Sequence, residues 1–326
     1  MPRPSSAKAP HLAAAANSVV SRRIFGLALA GAALSPAQEN PQETGGLIFR
    51  SDTREVLLHA TVVDRKGSFV TDLPREAFKI HEDGVEQKLK VFRREDVPVS
   101  MGLIVDNSGS MRRMRKKVED SAIALVKASN RQDEIFIVNF NDVPYRDADL
   151  TGDIKKLEEG LSRIDAKGGT AMRDALTLSI DYIKEKGKKA KKVLLVITDG
   201  DDTASSDTNT LEKLLAKAQR SEVLIFAIGI LNEEDRRSAK RAQRALELLT
   251  KQSGGIAHFP KDVESVEEVA LQIAKEIRSQ YIIAYSPTKP DDGAYRQLKV
   301  SVKGSGLTVR TRTGYYAKGD DKRSAL

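Results

Sequence analysis

Apolar residues fall into two patterns along this chain. Ser100 to Val105, Ile135 to Phe140, Val193 to Thr198 and Leu224 to Ile230 are nearly continuous runs rich in Val, Ile and Leu. Such runs predict strands buried on both faces. Around them lie charged segments with helical spacing: Met114 to Ser129, Ile154 to Ile164, Ala171 to Lys186, Asn209 to Arg220, Glu233 to Gln252 and Val263 to Ser279. Strands alternating with helices predict a mostly parallel, doubly wound sheet covered on both faces. The flanks read differently. Val56 to Val63, Phe78 to Glu82 and Gln87 to Phe92 are short strand candidates separated by turns at Asp64 to Gly67 and at Asp83 and Gly84. After the last helix come Gln280 to Ser286, Arg296 to Val302 and Leu307 to Thr313, with a turn at 290–293.

A lone pair of hairpins cannot bury a core. The flanking strands are therefore expected to combine in one small antiparallel β-sandwich-like domain, residues 48–97 plus 280–317, with an α/β domain of residues 98–279 inserted between its halves. Residues 318–326 read as a flexible tail. Ahead of all this, residues 1–37 carry Arg3, Lys8, Arg22 and Arg23, an apolar run from Ile24 to Leu34, and then Ser35, Pro36 and Ala37. That order is the charged, apolar and cleavage pattern of an export leader. The run is too short to cross a bilayer comfortably. Ser21 to Leu27 resembles the twin-arginine export signal of bacteria, without the lysine that usually follows it. Residues 38–47 read as a linker, and the expected location is periplasmic or secreted.

Composition narrows the chemistry. The 326 residues include no cysteine and no tryptophan, which excludes disulfides, thiolate metal sites and cysteine nucleophiles. The net charge of +8 weakens as a hint of nucleic-acid binding once the leader's four unopposed cations are set aside, leaving 50 basic against 46 acidic residues. The basic runs at Arg112 to Lys117, Lys184 to Lys192 and Arg236 to Arg244 lack interleaved aromatics, so no nucleic-acid platform is expected.

The strand at Ser100 to Val105 runs into Asp106, Asn107, Ser108, Gly109 and Ser110. A carboxylate and two hydroxyls at alternate positions, at the carboxyl end of a strand, offer hard oxygen donors where open α/β sheets bind ligands. Two other loops repeat that chemistry: Gly168, Gly169 and Thr170 before a helix, and Asp199 after the strand at Val193 to Thr198. The competing explanation is that these oxygens merely cap turns and helices, but three loops carry them together.

In this order, the Asp-x-Ser-x-Ser turn, the Gly-Gly-Thr loop and the later Thr-Asp-Gly resemble the metal-ion-dependent adhesion site of von Willebrand factor type A domains. The resemblance covers about residues 98 to 279 and implies a Rossmann-like fold. It also implies a divalent-metal site in which Ser108, Ser110 and Thr170 ligate directly and Asp106 and Asp199 act directly or through water. The ion would be magnesium or manganese, with calcium the other candidate, and a partner's carboxylate would complete its shell. Val70 to Gly84, Gln280 to Tyr285 and Thr313 to Tyr316 are similar to flanking segments of bacterial von Willebrand factor A-related proteins, particularly of acidobacterial type.

The remaining candidates read as structural. His11, His59, His81 and His258 have no metal-ligand spacing. Asp201, Asp202 and Asp207 read as a solvated acidic loop. Arg112, Arg113, Arg115, Lys116 and Lys117 read as a solvated helix face, with an acidic-partner rim as the alternative. Ser108 has no histidine or lysine in motif order to serve as its base. The expected function is thus a metal-dependent protein-binding or adhesion-type module, not an enzyme, that engages a protein or other carboxylate-bearing ligand without a membrane span in its mature form. The alternatives are a scaffold with a purely structural metal site and, behind it, a metal-dependent hydrolase.

Overall fold

The structure, a computed structural model, describes residues 55 to 318 apart from 95, 163–165 and 232–234. The leader, the linker and all but the first residue of the tail lie outside the described residues. The chain begins with β1 (Val56–Val63), β2 (Phe78–Glu82), β3 (Val85–Gln87) and β4 (Leu89–Arg93). Next come β5 (Val99–Asp106), α1 (Arg115–Ala128), β6 (Glu134–Phe140), β7 (Pro144–Thr151), α2 (Ile154–Ser162), α3 (Met172–Lys186) and β8 (Lys191–Thr198). After these follow α4 (Leu211–Ser221), β9 (Leu224–Gly229), α5 (Arg236–Ser253), β10 (Ala257–His258) and α6 (Val266–Arg278). The chain closes with β11 (Tyr281–Tyr285), β12 (Tyr295–Val302), β13 (Thr308–Arg310) and β14 (Gly314–Tyr316).

The central sheet has the order β10-β9-β8-β5-β6-β7, with β7 the antiparallel member. Period-two alternation sorts its side chains. Met101, Leu103 and Val105 of β5 pack with Val118 and Leu125 of α1, Leu157 of α2 and Ile273 of α6. Ile104, Phe136 and Leu194 pack on the other face with Leu176 of α3, Leu214 of α4 and Leu249 of α5. Both faces are therefore dry, which is why these strands are continuous apolar runs. Gly102 shares the second face, and a Cβ there would overlap the Phe136 ring and Leu194. Because β5 is flanked by β6 on one side and β8 on the other, the chain reverses direction across the sheet at the end of β5. That reversal opens the crevice in which such sheets bind ligands.

The remaining strands form two four-stranded sheets, β13-β1-β11-β4 and β14-β12-β2-β3. β1 pairs antiparallel with β11 from Val56 opposite Tyr285 to Ala60 opposite Tyr281, so segments before and after the central sheet share one ladder. Leu58, Ala60, Phe78, Ile80, Tyr281, Ile283 and Tyr285 form their common core.

Three details depart from the sequence reading. The single strand expected over Gln87 to Phe92 is two: β3 pairs with β2, while β4 joins β11 in the other sheet, so the chain changes sheets at Lys88. β7 was not anticipated. It is an edge strand with only Ala148 buried, so it lacks the apolar signature of its neighbours. The expected strand over Leu307 to Thr313 is shorter, β13 pairs with β1, and β14 follows it.

Candidate functional site

Asp106 is the last residue of β5 and is 2% exposed. Its Oδ2 accepts a hydrogen bond from Thr198 Oγ1 at 2.6 Å and its Oδ1 accepts one from the Ser108 backbone N–H at 2.8 Å. The second bond closes the turn after β5 and sets the two serines on one side of it. Ser108 Oγ and Ser110 Oγ lie 3.0 Å apart, and Ser110 Oγ donates to Asp199 Oδ1 at 2.9 Å. Asp106, Ser108, Ser110 and Asp199 thus form one connected group of oxygens, of which Ser110 is the exposed member.

Thr170 sits on the neighbouring loop and is 5% exposed. That loop is stitched to the turn after β5 through Gly109 N–H to Gly168 O at 3.1 Å and Lys167 N–H to Asn107 O at 3.1 Å. It is stitched to the Asp199 loop through Thr170 N–H to Thr203 Oγ1 at 3.1 Å and Thr203 N–H to Thr170 O at 2.9 Å. All five residues singled out in the sequence therefore lie on three mutually bonded loops at one end of the sheet.

Sequence reasoning missed several supporting residues. Asp142, just after β6, accepts from Gly169 N–H at 2.7 Å. Gly168 has φ +75°, and a Cβ there would collide with the Asp142 carboxylate, so the glycine is required twice over. Thr198 orients Asp106, and only the three-dimensional meeting of β5 and β8 reveals that pairing. Asp202, read as solvated, instead accepts from the Arg173 backbone N–H at 2.7 Å and lies 3.3 Å from its guanidinium. Asp201 pairs with Arg241. Of the basic run, Arg112 and Arg115 donate to the backbone oxygens of Ala166 and Ser162, anchoring the stretch before the Gly-Gly-Thr loop.

The electrostatics are unbalanced. Burial raises the Asp106 carboxyl to about 6, with the nearby Asp199 charge adding to the shift against the hydrogen bonds from Thr198 and Ser108. Burial also raises Asp199, opposed by the Ser110 hydroxyl. Among the described residues neither carboxylate has an ion-pair partner. Two buried carboxylates, backed by hydroxyls and left without a cation, are a donor set that fits a hard divalent ion. Among the described residues no cluster of three or more His, Cys, Asp or Glu competes as a metal site.

Comparison with known proteins bears on this region. Human integrin alpha-11 is 35% identical over 88 residues, which is 26% of this chain and 7% of that relative's length. A solved structure described as von Willebrand factor type A from Catenulispora acidiphila shares 13% identity at a TM-score of 0.49, covering 84% of this chain and 76% of that one. Proximal thread matrix protein 1 from the mussel byssus, described with a zinc-occupied MIDAS motif, shares 13% identity at a TM-score of 0.49, over 61% of this chain and 50% of that one. Residues 101–201, which include most of β5, the Gly-Gly-Thr loop and Asp199, match the sequence profile of the von Willebrand factor type A domain, so the chain carries that domain over this stretch.

Proposed function

We propose that this chain is an exported binding module. Its von Willebrand factor type A domain holds magnesium or manganese through Asp106, Ser108, Ser110, Thr170 and Asp199, and engages an acidic group of a partner protein there. The observation that carries the reading is the pair of buried carboxylates, without an ion-pair partner among the described residues, joined to the hydroxyl of the exposed residue Ser110. A divalent ion bound there supplies positive charge for a partner's oxygen. The protein's own contribution is positional. Thr198 and the Ser108 amide fix Asp106, Asp142 fixes the Gly-Gly-Thr loop, and Asp202 fixes the segment after Asp199. The exposure of Ser110 favours an open, partner-facing site over a closed structural one. Ser108 bonds Ser110, and no histidine or lysine bonds to it among the described residues, so a nucleophile role has no base to support it.

We infer further that residues 48–97 with 280–317 fold as the domain that carries the inserted residues 98–279, and that residues 1–37 direct export. The test is calorimetric titration of magnesium and manganese into the protein lacking residues 1–37, beside Asp106→Ala and Ser108→Ala. One site lost in both variants, with partner capture abolished by chelator, is the expected result. Capture that survives chelator would overturn the reading.

A further inference from the structure

A cavity of about 490 Å³ lies away from the oxygen cluster, where α5 and the segment leading into β10 meet β12 and β13. Its size is that of a ligand-binding cleft, for which roughly 300–1,000 Å³ is usual. Two features of its lining point to the same occupant. One is open backbone. β12 and β13 are consecutive, yet they do not pair: β13 pairs with β1, and β12 pairs with β2. β14 covers β12 only over Tyr295 to Gln297, and Leu298 N–H bonds Thr313 O. From Lys299 onward β12 has one strand partner among the described residues, and β13 likewise has one. The strands diverge, and the cleft is lined by Leu298, Val300 and Val309 together with Ile256 and Ala257.

The other feature is charge. Lys251, Lys299, Arg310 and Arg312 line the cavity against the single acid Glu247. Arg310 is committed to Glu276 at 2.7 Å, and Arg312 donates to Leu57 O at 2.9 Å. Lys251 and Lys299 are exposed, and their ammonium groups have no ion pair or hydrogen bond among the described residues. Arg312 is 7% exposed, its Nη1 lies 3.7 Å from Glu222 and its Nε has no hydrogen-bond partner among the described residues, and neither does the buried Thr311 Oγ1.

We propose that this cleft captures an extended acidic segment of a partner protein. The segment adds as a strand beside β12 or β13, its alternate apolar side chains enter the cleft, and its carboxylates meet Lys251 and Lys299. Unpaired strand edges template such additions, with main-chain bonds giving affinity and alternate side chains giving selection. The site needs no metal and stands independently of the function proposed above.

The probe is a random six-residue peptide library on beads, screened with the full chain in EDTA so that the oxygen cluster is silent. Recovered peptides are expected to combine acidic residues with alternating apolar ones. A fluorescein-labelled winner should bind at least tenfold more weakly to Lys251→Glu/Lys299→Glu, keep its affinity for Lys251→Arg/Lys299→Arg, and lose at least tenfold when alternate peptide nitrogens are methylated. No enrichment over blank beads, equal binding to the charge-reversed variant, or indifference to N-methylation would each overturn the proposal.

Discussion

The oxygen cluster and the junction beneath α6 both bury carboxylates, and they treat them in opposite ways. At the junction, Asp133, whose side chain is 1% exposed, accepts from the backbone of Val99 at 2.8 Å and of Asn130 at 3.0 Å and is paired with Arg278. Arg278 also reaches Asp96 at 2.9 Å, and Glu276 meets Arg310 at 2.7 Å. In the paired sheets, Glu82 accepts from the Tyr285 and Tyr315 hydroxyls and lies 3.9 Å from Arg296. Each of these acids has a guanidinium. Asp106 and Asp199 have hydroxyls and an amide, and no cation among the described residues. Burying a charge is costly unless it is paired, so two carboxylates left to each other's repulsion, in a fold that pairs these other acids, fit the metal site proposed above.

Breaking the junction should have the largest effect. Arg278→Ala leaves Asp133 buried and unpaired, and unfolding in urea is expected to show a loss of about 3 kcal/mol. A loss near zero would mean that the junction's pairing is not what holds its acids. At the oxygen cluster the same logic reverses sign. Asp106→Asn removes a charge the fold disfavours, so the metal-free protein should gain roughly 1–3 kcal/mol while magnesium binding disappears. A destabilised variant would show that Asp106 is adequately neutralised already.

A subtler probe is Asp142→Ala, which leaves every proposed ligand in place but frees the Gly-Gly-Thr loop. Calorimetry should show magnesium affinity weakened by about 10- to 100-fold, as is usual when an outer partner of a ligand is removed. An unchanged affinity would make Asp142 a turn residue only.

The pH dependence of stability separates the two regions most gently. Asp106 has a folded value of about 6, above its unfolded value, so its contribution is full below the unfolded value and is lost as pH rises through 6. Lys191, at the junction, donates to Ile277 O, and burial followed by the Arg278 charge depresses it to about 7. Its folded form binds fewer protons than the unfolded chain above that point, so stability should rise from pH 7 toward 10. Thermal melts without metal should therefore dip near pH 6 to 7. Saturating magnesium should remove the acid limb alone, because the ion holds Asp106 ionised, and removal of both limbs would contradict the assignment.

What was legible in the sequence depended on how far each signal reaches along the chain. The central strands announced themselves because burial on both faces demands unbroken Val, Ile and Leu. Asp106, Ser108 and Ser110 share one turn, and Thr170 and Asp199 stand in a recognisable order. β7 stayed hidden because an edge strand buries little, and the sheet change at Lys88 because each half is defined by a partner far off in the chain. Asp142 and Thr198 were missed for a related reason: one hydrogen bond across loops is all that marks them. Asp202 was misread because a carboxylate in a polar loop has no local mark that separates a solvated acid from one that ties the loop together.

The pairing of β1 with β11 carries a consequence for how the molecule assembles. More than 200 residues separate Leu58 from Ile283, its partner in the ladder. Bringing such ends together as a free coil costs loop-closure entropy, and the early strands would wait, edges open, while the rest of the chain emerges. The central sheet has nearer contacts and can form first. Once it has, the bridge between Arg278 and Asp96 holds the two exits of that sheet side by side, and the long closure becomes a short local zipping of β1 onto β11.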